Sequence, residues 1–113
     1  MILKQIEREE IKLELDGILF TWDDEKEKIN IRKHEVRFKD AAAVFFDDGA
    51  VIRYNSVDDY TGEERFDIIG MIYNNLMFVV YVERITVDSK EVIRIISARL
   101  AEKKEERIYA YGT

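Results

Sequence analysis

The chain has 113 residues, enough for one domain with one sizeable hydrophobic core and too few for two. Apolar residues make up 47% and charged residues 37%, which excludes a disordered chain and demands a densely charged surface. A net charge of -6 and the absence of cysteine exclude a disulfide framework, a zinc–thiolate site and a nucleic-acid affinity spread over the whole surface.

Neither half is basic: residues 1–60 carry 10 Lys/Arg against 15 Asp/Glu, and residues 61–113 carry 8 against 9. The first residues lack a signal peptide's apolar core, and no apolar run is long enough to span a bilayer. A cytoplasmic protein without membrane contact is expected, folded as one domain over residues 1–113.

Positions 1–10 are polar and acidic, with Ile2, Leu3 and Ile6 at helical spacing. They predict a short helix or an extra N-terminal arm. Residues 11–15 and 18–22 alternate around Asp16-Gly17, the strongest short-range hairpin signal. Asp23 or Asp24 caps a helix running to about Lys33, because an Asp oxygen satisfies the free N–H groups of the first turn. A second helix is predicted over 39–46, with Asp40 in its first turn and Ala42, Val44, Phe45 and Phe46 facing the core. Asp47-Asp48-Gly49 ends it.

Four strands follow, over 51–55, 65–73, 76–84 and 91–99, and then a helix over 101–109. Val92, Ile93, Ile95 and Ile96 place apolar residues on both faces, so the last strand is central. The expected class is α+β: an antiparallel sheet with an N-terminal hairpin, two helices, a β-meander and a C-terminal helix, the helices on one sheet face.

If Asn74-Asn75 is a two-residue turn, Tyr73 faces Leu76 and Arg65 faces Arg84. If 86–90 joins the next two strands, Arg84 faces Val92 and Val82 faces Arg94. Alternation then puts Arg65, Asp67, Arg84 and Arg94 on one face, with Ser97 and Arg99 on the other or beyond it. Two facing arginines need an anion between them, and guanidinium groups suit phosphate oxygens. The competing reading is that Asp67, Glu63, Glu64 or Glu83 neutralises them. His34, the single histidine, ends the first helix; a histidine shuttles protons near neutral pH, but it also suits a helix C-terminus. Lys103, Lys104 and Arg107 alternate with Glu102, Glu105 and Glu106, the pattern of a solvated helix. Phe45, Phe46, Phe66 and Phe78 read as core. The tyrosines suit base stacking, but nothing singles one out. Gly-rich phosphate loops, nucleophile elbows and HExxH-type metal motifs are absent, so no cofactor is expected.

Phe20-Thr21-Trp22-Asp23, Lys26, Asn30, Lys33-His34, Val36 and Phe38 resemble the start of the BrnT family. Ala42, Val44-Phe45 and Asp47 continue the likeness, as do Glu63-Glu64-Arg65, Gly70, Glu83-Arg84 and Arg94-Ile95-Ile96-Ser97-Ala98-Arg99. Ala101, Glu105 and Tyr109 close it, so that it spans about residues 17–110. The resemblance implies a RelE-like fold and a ribonuclease toxin of a type II toxin–antitoxin system. Such a toxin cleaves RNA to block translation and is neutralised by a BrnA-type ribbon-helix-helix antitoxin; a homodimer is also admitted.

Carried over by position, the polar candidates are Lys33, His34, Glu64, Arg65, Arg84, Ser97 and Arg99. His34, Arg65, Arg84 and Arg99 are the expected catalytic group of a metal-independent endoribonuclease. Lys33, Arg94, Ser97 and Lys104 are the expected RNA contacts. Three positions depart from the family pattern: Glu35 replaces a Gly, Val82 a Thr and Glu102 a helix-capping Thr. The alternatives are a catalytically inactive BrnT-like module that only holds its antitoxin, and an unrelated α+β interaction domain.

Overall fold

The computed structural model describes residues 4–6 by backbone alone, and residues 11–86 and 88–112 in full. The hairpin forms as the alternation requires. Strands β2 (Leu13–Leu15) and β3 (Ile18–Thr21) pair antiparallel across Asp16 and Gly17, which take positive φ angles of 47° and 85°. Helix α1 (Asp24–His34) starts at Asp23, whose carboxylate accepts a 3.0 Å hydrogen bond from the Lys26 amide. It ends at Glu35, whose φ of 58° is left-handed. Glycine takes that conformation without strain, whereas a glutamate there is strained.

The second helix is shorter than expected. Helix α2 spans Phe38–Ala41, and Ala42–Phe46 tightens into a 3-10 turn. Arg37 gives α2 no side-chain cap; the Glu27 carboxylate of α1 instead accepts from the Phe38 amide at 2.9 Å. Of the four core residues expected here, Ala42 and Val44 are buried, Phe45 packs partly buried against the core, and Phe46 is exposed.

The remaining strands are β4 (Val51–Val57), β5 (Glu64–Ile72), β6 (Asn75–Thr86) and β7 (Glu91–Leu100), followed by helix α3 (Lys103–Tyr111). The sheet order is β2-β3-β7-β6-β5-β4. Strand β3 lies parallel to β7, so the sheet is mixed and not antiparallel throughout. Within 1–10, where a short helix or an extra arm is expected, residues 4–6 form strand β1 (Lys4–Ile6), parallel to the end of β6.

The main core lies on one sheet face, where Phe20, Ile68, Val79, Tyr81, Ile95 and Ala98 meet Trp22, Phe38, Ala41, Ala42 and Val44. Gly70 admits Val44 here: a Cβ at that position would stand 2.7 Å from Val44 Cγ2. Helix α3 is anchored on the opposite face through Arg99, so the helices do not all share one face.

Strand β3 pairs only with residues 92–94 of β7, which leaves the outer edge of β7 open beyond them. Asn30 covers that edge. Its amide nitrogen donates to the Ala98 and Val36 carbonyls, both at 2.9 Å, and its oxygen accepts from the Ala98 amide at 3.0 Å. Covering an edge this way satisfies backbone groups that would otherwise be buried without partners. Asn30→Ala is therefore expected to destabilise the fold by about 1–3 kcal/mol, read as a lower urea midpoint with an unchanged slope.

Candidate functional site

The β6–β7 register is as expected, with Arg84 opposite Val92 and Arg94 opposite Val82. The β5–β6 register differs. Ile72 pairs with Asn75, so the turn is Tyr73-Asn74, and the ladder through Phe66 and Tyr81 puts Arg65 opposite Val82 and not Arg84. A slip of two residues preserves faces, so Arg65, Asp67, Arg84 and Arg94 still share one side.

Each of these charged residues is already engaged. Arg84 makes two 2.9 Å hydrogen bonds to Glu63, one from Nε and one from Nη2. It also borders a cavity of about 80 Å³ with Glu83 and Glu91, which is acidic ground for a phosphate. Arg65 pairs with Asp58 at 3.0 Å, and buried Asp67 takes hydrogen bonds from Arg53 and Asn55. Backbone hydrogen bonding by Lys26, more than the charge of Arg94, holds the Asp23 carboxyl below its usual range.

Ser97 and Arg99 are not on the other face. A bulge separates the pairs Tyr81↔Ile95 and Val80↔Ser97, so Ile96 is the extra residue. This brings Ser97 and Arg99 onto the face of Arg84. Arg99 sits 4.3 Å above the Phe78 ring and 2.7 Å from the Glu105 carboxylate. At about 3.3 Å per residue, Val92 (opposite Arg84) and Arg99 are about 20 Å apart. The expected catalytic group of His34, Arg65, Arg84 and Arg99 therefore does not converge on one phosphate. Lys104 is exposed on α3, 3.9 Å from Glu105.

His34, Lys33 and Ser97 do meet. They line a cleft of about 230 Å³ between α1 and β7 with Lys26, Ile29, Asn30 and Ile96. His34 also borders a second cleft of about 600 Å³, floored by Val36, Ala41, Met77 and Leu100 and rimmed by Glu35, Arg37, Lys39 and Asp40. Lys26, Lys33, Arg37 and Lys39 are exposed and form no ion pair with a described residue.

Lys26, Arg37 and Lys39 were legible as a local signal. Residues 26–39 carry six Lys/Arg against two Glu, a net of +4 inside an acidic chain. Counting charge by halves hides that run. Of the tyrosines, Tyr81 is buried in the core, and burial pushes its hydroxyl up to about 12, which leaves it no role as a base.

Among the described residues, no cluster of three His, Cys, Asp or Glu side chains is placed to hold a metal ion. No helix among them is long and apolar enough to cross a membrane. Residues 22–105 match the family model described as ribonuclease toxin, BrnT, of type II toxin-antitoxin system. No curated protein matches the chain.

Proposed function

Because the chain belongs to the BrnT family of ribonuclease toxins from type II toxin–antitoxin systems, we propose that it cuts RNA at the corner where α1 meets β7, with His34 moving the proton. The observation that carries this reading is the division of the cations. Arg65, Arg84 and Arg99 are each bound to a carboxylate. Lys26, Lys33, Arg37 and Lys39 frame the two clefts that share His34 and carry no ion pair among the described residues. Uncommitted cations are free to neutralise phosphate, and a local field suffices to hold an anionic polymer on an acidic protein.

In this reading His34 takes the proton of a 2′-hydroxyl, with Glu35 beside it as the other base within reach of the same cleft. The 2′-oxygen bonds to phosphorus while the bond to the 5′-oxygen breaks, and that oxygen leaves with a proton from solvent. Lys33 and Arg37 stabilise the charge that develops on the phosphate. Ser97, which lines the cleft of His34 and Lys33, serves in this reading as a hydrogen-bonding contact. Arg65, Arg84 and Arg99 hold the fold.

The finer features follow from family membership as proposals: a RelE-like fold, a cytoplasmic setting and a BrnA-type ribbon-helix-helix antitoxin. The test is to incubate the purified chain with single-stranded RNA in the presence of EDTA. The expected products carry 2′,3′-cyclic phosphate and 5′-hydroxyl ends, and expression without an antitoxin arrests growth. Intact RNA together with unimpaired growth would leave only the antitoxin-holding alternative.

A further inference from the structure

Tyr73 serves folding poorly where it stands. It occupies the first position of the β5–β6 turn with φ 54°, a left-handed conformation that suits Gly or Asn and strains a bulky residue. It is 95% exposed, so its ring stabilises no core. Strain held at an exposed aromatic points outward to a ligand.

The ring stands at the 600 Å³ cleft that His34 also borders. That volume lies within the range of about 300–1,000 Å³ typical of ligand sites. The floor is apolar, through Met77 and Leu100, and flat groups with a π face suit such a floor beside an aromatic ring. The rim is charged, with Arg37 and Lys39 facing Glu35 and Asp40 beside His34. A planar apolar body attached to a negative chain fits both parts.

We propose that Tyr73 is a base-stacking residue, holding in this cleft a nucleobase of single-stranded RNA next to the phosphate presented to His34. The inference rests on the ribonuclease reading and adds to it a specificity subsite. Arg37 stays with the phosphate at His34, Lys39 holds the next phosphate along, and the base lies between the Tyr73 ring and the apolar floor. A single strand is required, because a base in a duplex keeps its face covered by its neighbours.

The experiment uses the full chain and a 2′-O-methylated single-stranded RNA octamer, which binds without being cut. Cleavage of the unmodified octamer is measured alongside. Tyr73→Ala and Tyr73→Asn are expected to weaken binding about 5- to 150-fold, raising KM more than they lower kcat. Tyr73→Phe, which keeps the ring, restores wild-type binding. Tyr73→Asn is also expected to raise the Tm, since Asn suits the turn; weaker binding by a more stable protein separates stacking from folding.

An abasic site walked along the octamer should give one position whose loss matches that of Tyr73→Ala and adds nothing to it. Wild-type binding by Tyr73→Ala, with RNA cleavage intact, overturns this inference alone. Wild type that neither binds nor cuts the octamer overturns the ribonuclease reading as well. A Tyr73→Ala defect confined to antitoxin capture makes the surface a protein contact and also overturns it.

Discussion

His34→Ala is expected to lower RNA cleavage by about 10²–10⁴-fold while leaving the fold intact. The size follows from what the reaction needs. A 2′-hydroxyl is a weak nucleophile, and a positioned base removes its proton during attack. His34 is the only histidine of the chain, and it is exposed where the two clefts meet. Its position at the end of α1 makes few demands on folding. Alanine is a good helix former, and the left-handed residue that closes the helix is Glu35.

The measurement is initial cleavage rate together with Tm. Lys33→Ala serves as the comparison: losing a phosphate contact is expected to weaken binding and to flatten the dependence of log Kd on log salt concentration by about one unit. An unchanged rate in a folded His34→Ala variant would move the proton transfer to another group, with Glu35 the next to replace.

Arg99→Ala is expected to destabilise the protein by about 3–5 kcal/mol, the usual result of stripping one partner from a buried ion pair. The Glu105 side chain is 1% exposed and Arg99 donates to it at 2.7 Å. The same carboxylate caps the first turn of α3 by accepting from the Glu102 amide at 2.8 Å. Without Arg99 the charge keeps, among the described residues, only that amide and the ammonium of Lys104 at 3.9 Å. Arg99 also covers the Phe78 ring, so packing is lost with charge.

The double replacement Arg99→Met with Glu105→Leu removes both charges and is expected to recover most of the stability. It also separates two roles for Arg99. A folded double variant that cuts RNA at the wild-type rate confirms Arg99 as a structural residue, whereas a folded but inactive one places it back in the site.

Acid unfolding follows from the same contacts. Burial pushes the Glu105 carboxyl up, but Arg99, the Glu102 amide and Lys104 outweigh it, and the net direction is down. Asp47 is also held low, first by the Met71 amide and then, against burial, by the Tyr109 hydroxyl and the Gly49 amide. Both groups bind protons more weakly in the folded chain than in the unfolded one. Their stabilisation is thus complete above the ordinary carboxylate value near about 4 and is lost as pH falls through the lower folded values. The Tm is expected to drop below about pH 4, and less steeply in the double variant.

Local chemistry made much of this molecule legible in its sequence. Asp16-Gly17 dictated a hairpin because few residue pairs accept positive φ, and Asp23 dictated where α1 begins because its oxygen reaches the first-turn amides. Alternation assigned Arg65, Asp67, Arg84 and Arg94 to one face, and a register slip of two residues did not disturb it. Family membership was legible in motifs whose reasons now have structural form: Asn30 covers an open strand edge, and Gly70 makes room for Val44.

Contacts distant in sequence decided the rest. The parallel β3–β7 pair makes the sheet mixed, and the bulge at Ile96 turns Ser97 and Arg99 to the other face; both arise from pairing, which no local propensity encodes. The carboxylates that claim Arg65, Arg84 and Arg99 likewise depend on which segment the fold brings near, as Glu63 does for Arg84 across 21 positions. The sequence alone placed His34 in a run of cations; only the tertiary structure showed which of the cations are held by carboxylates.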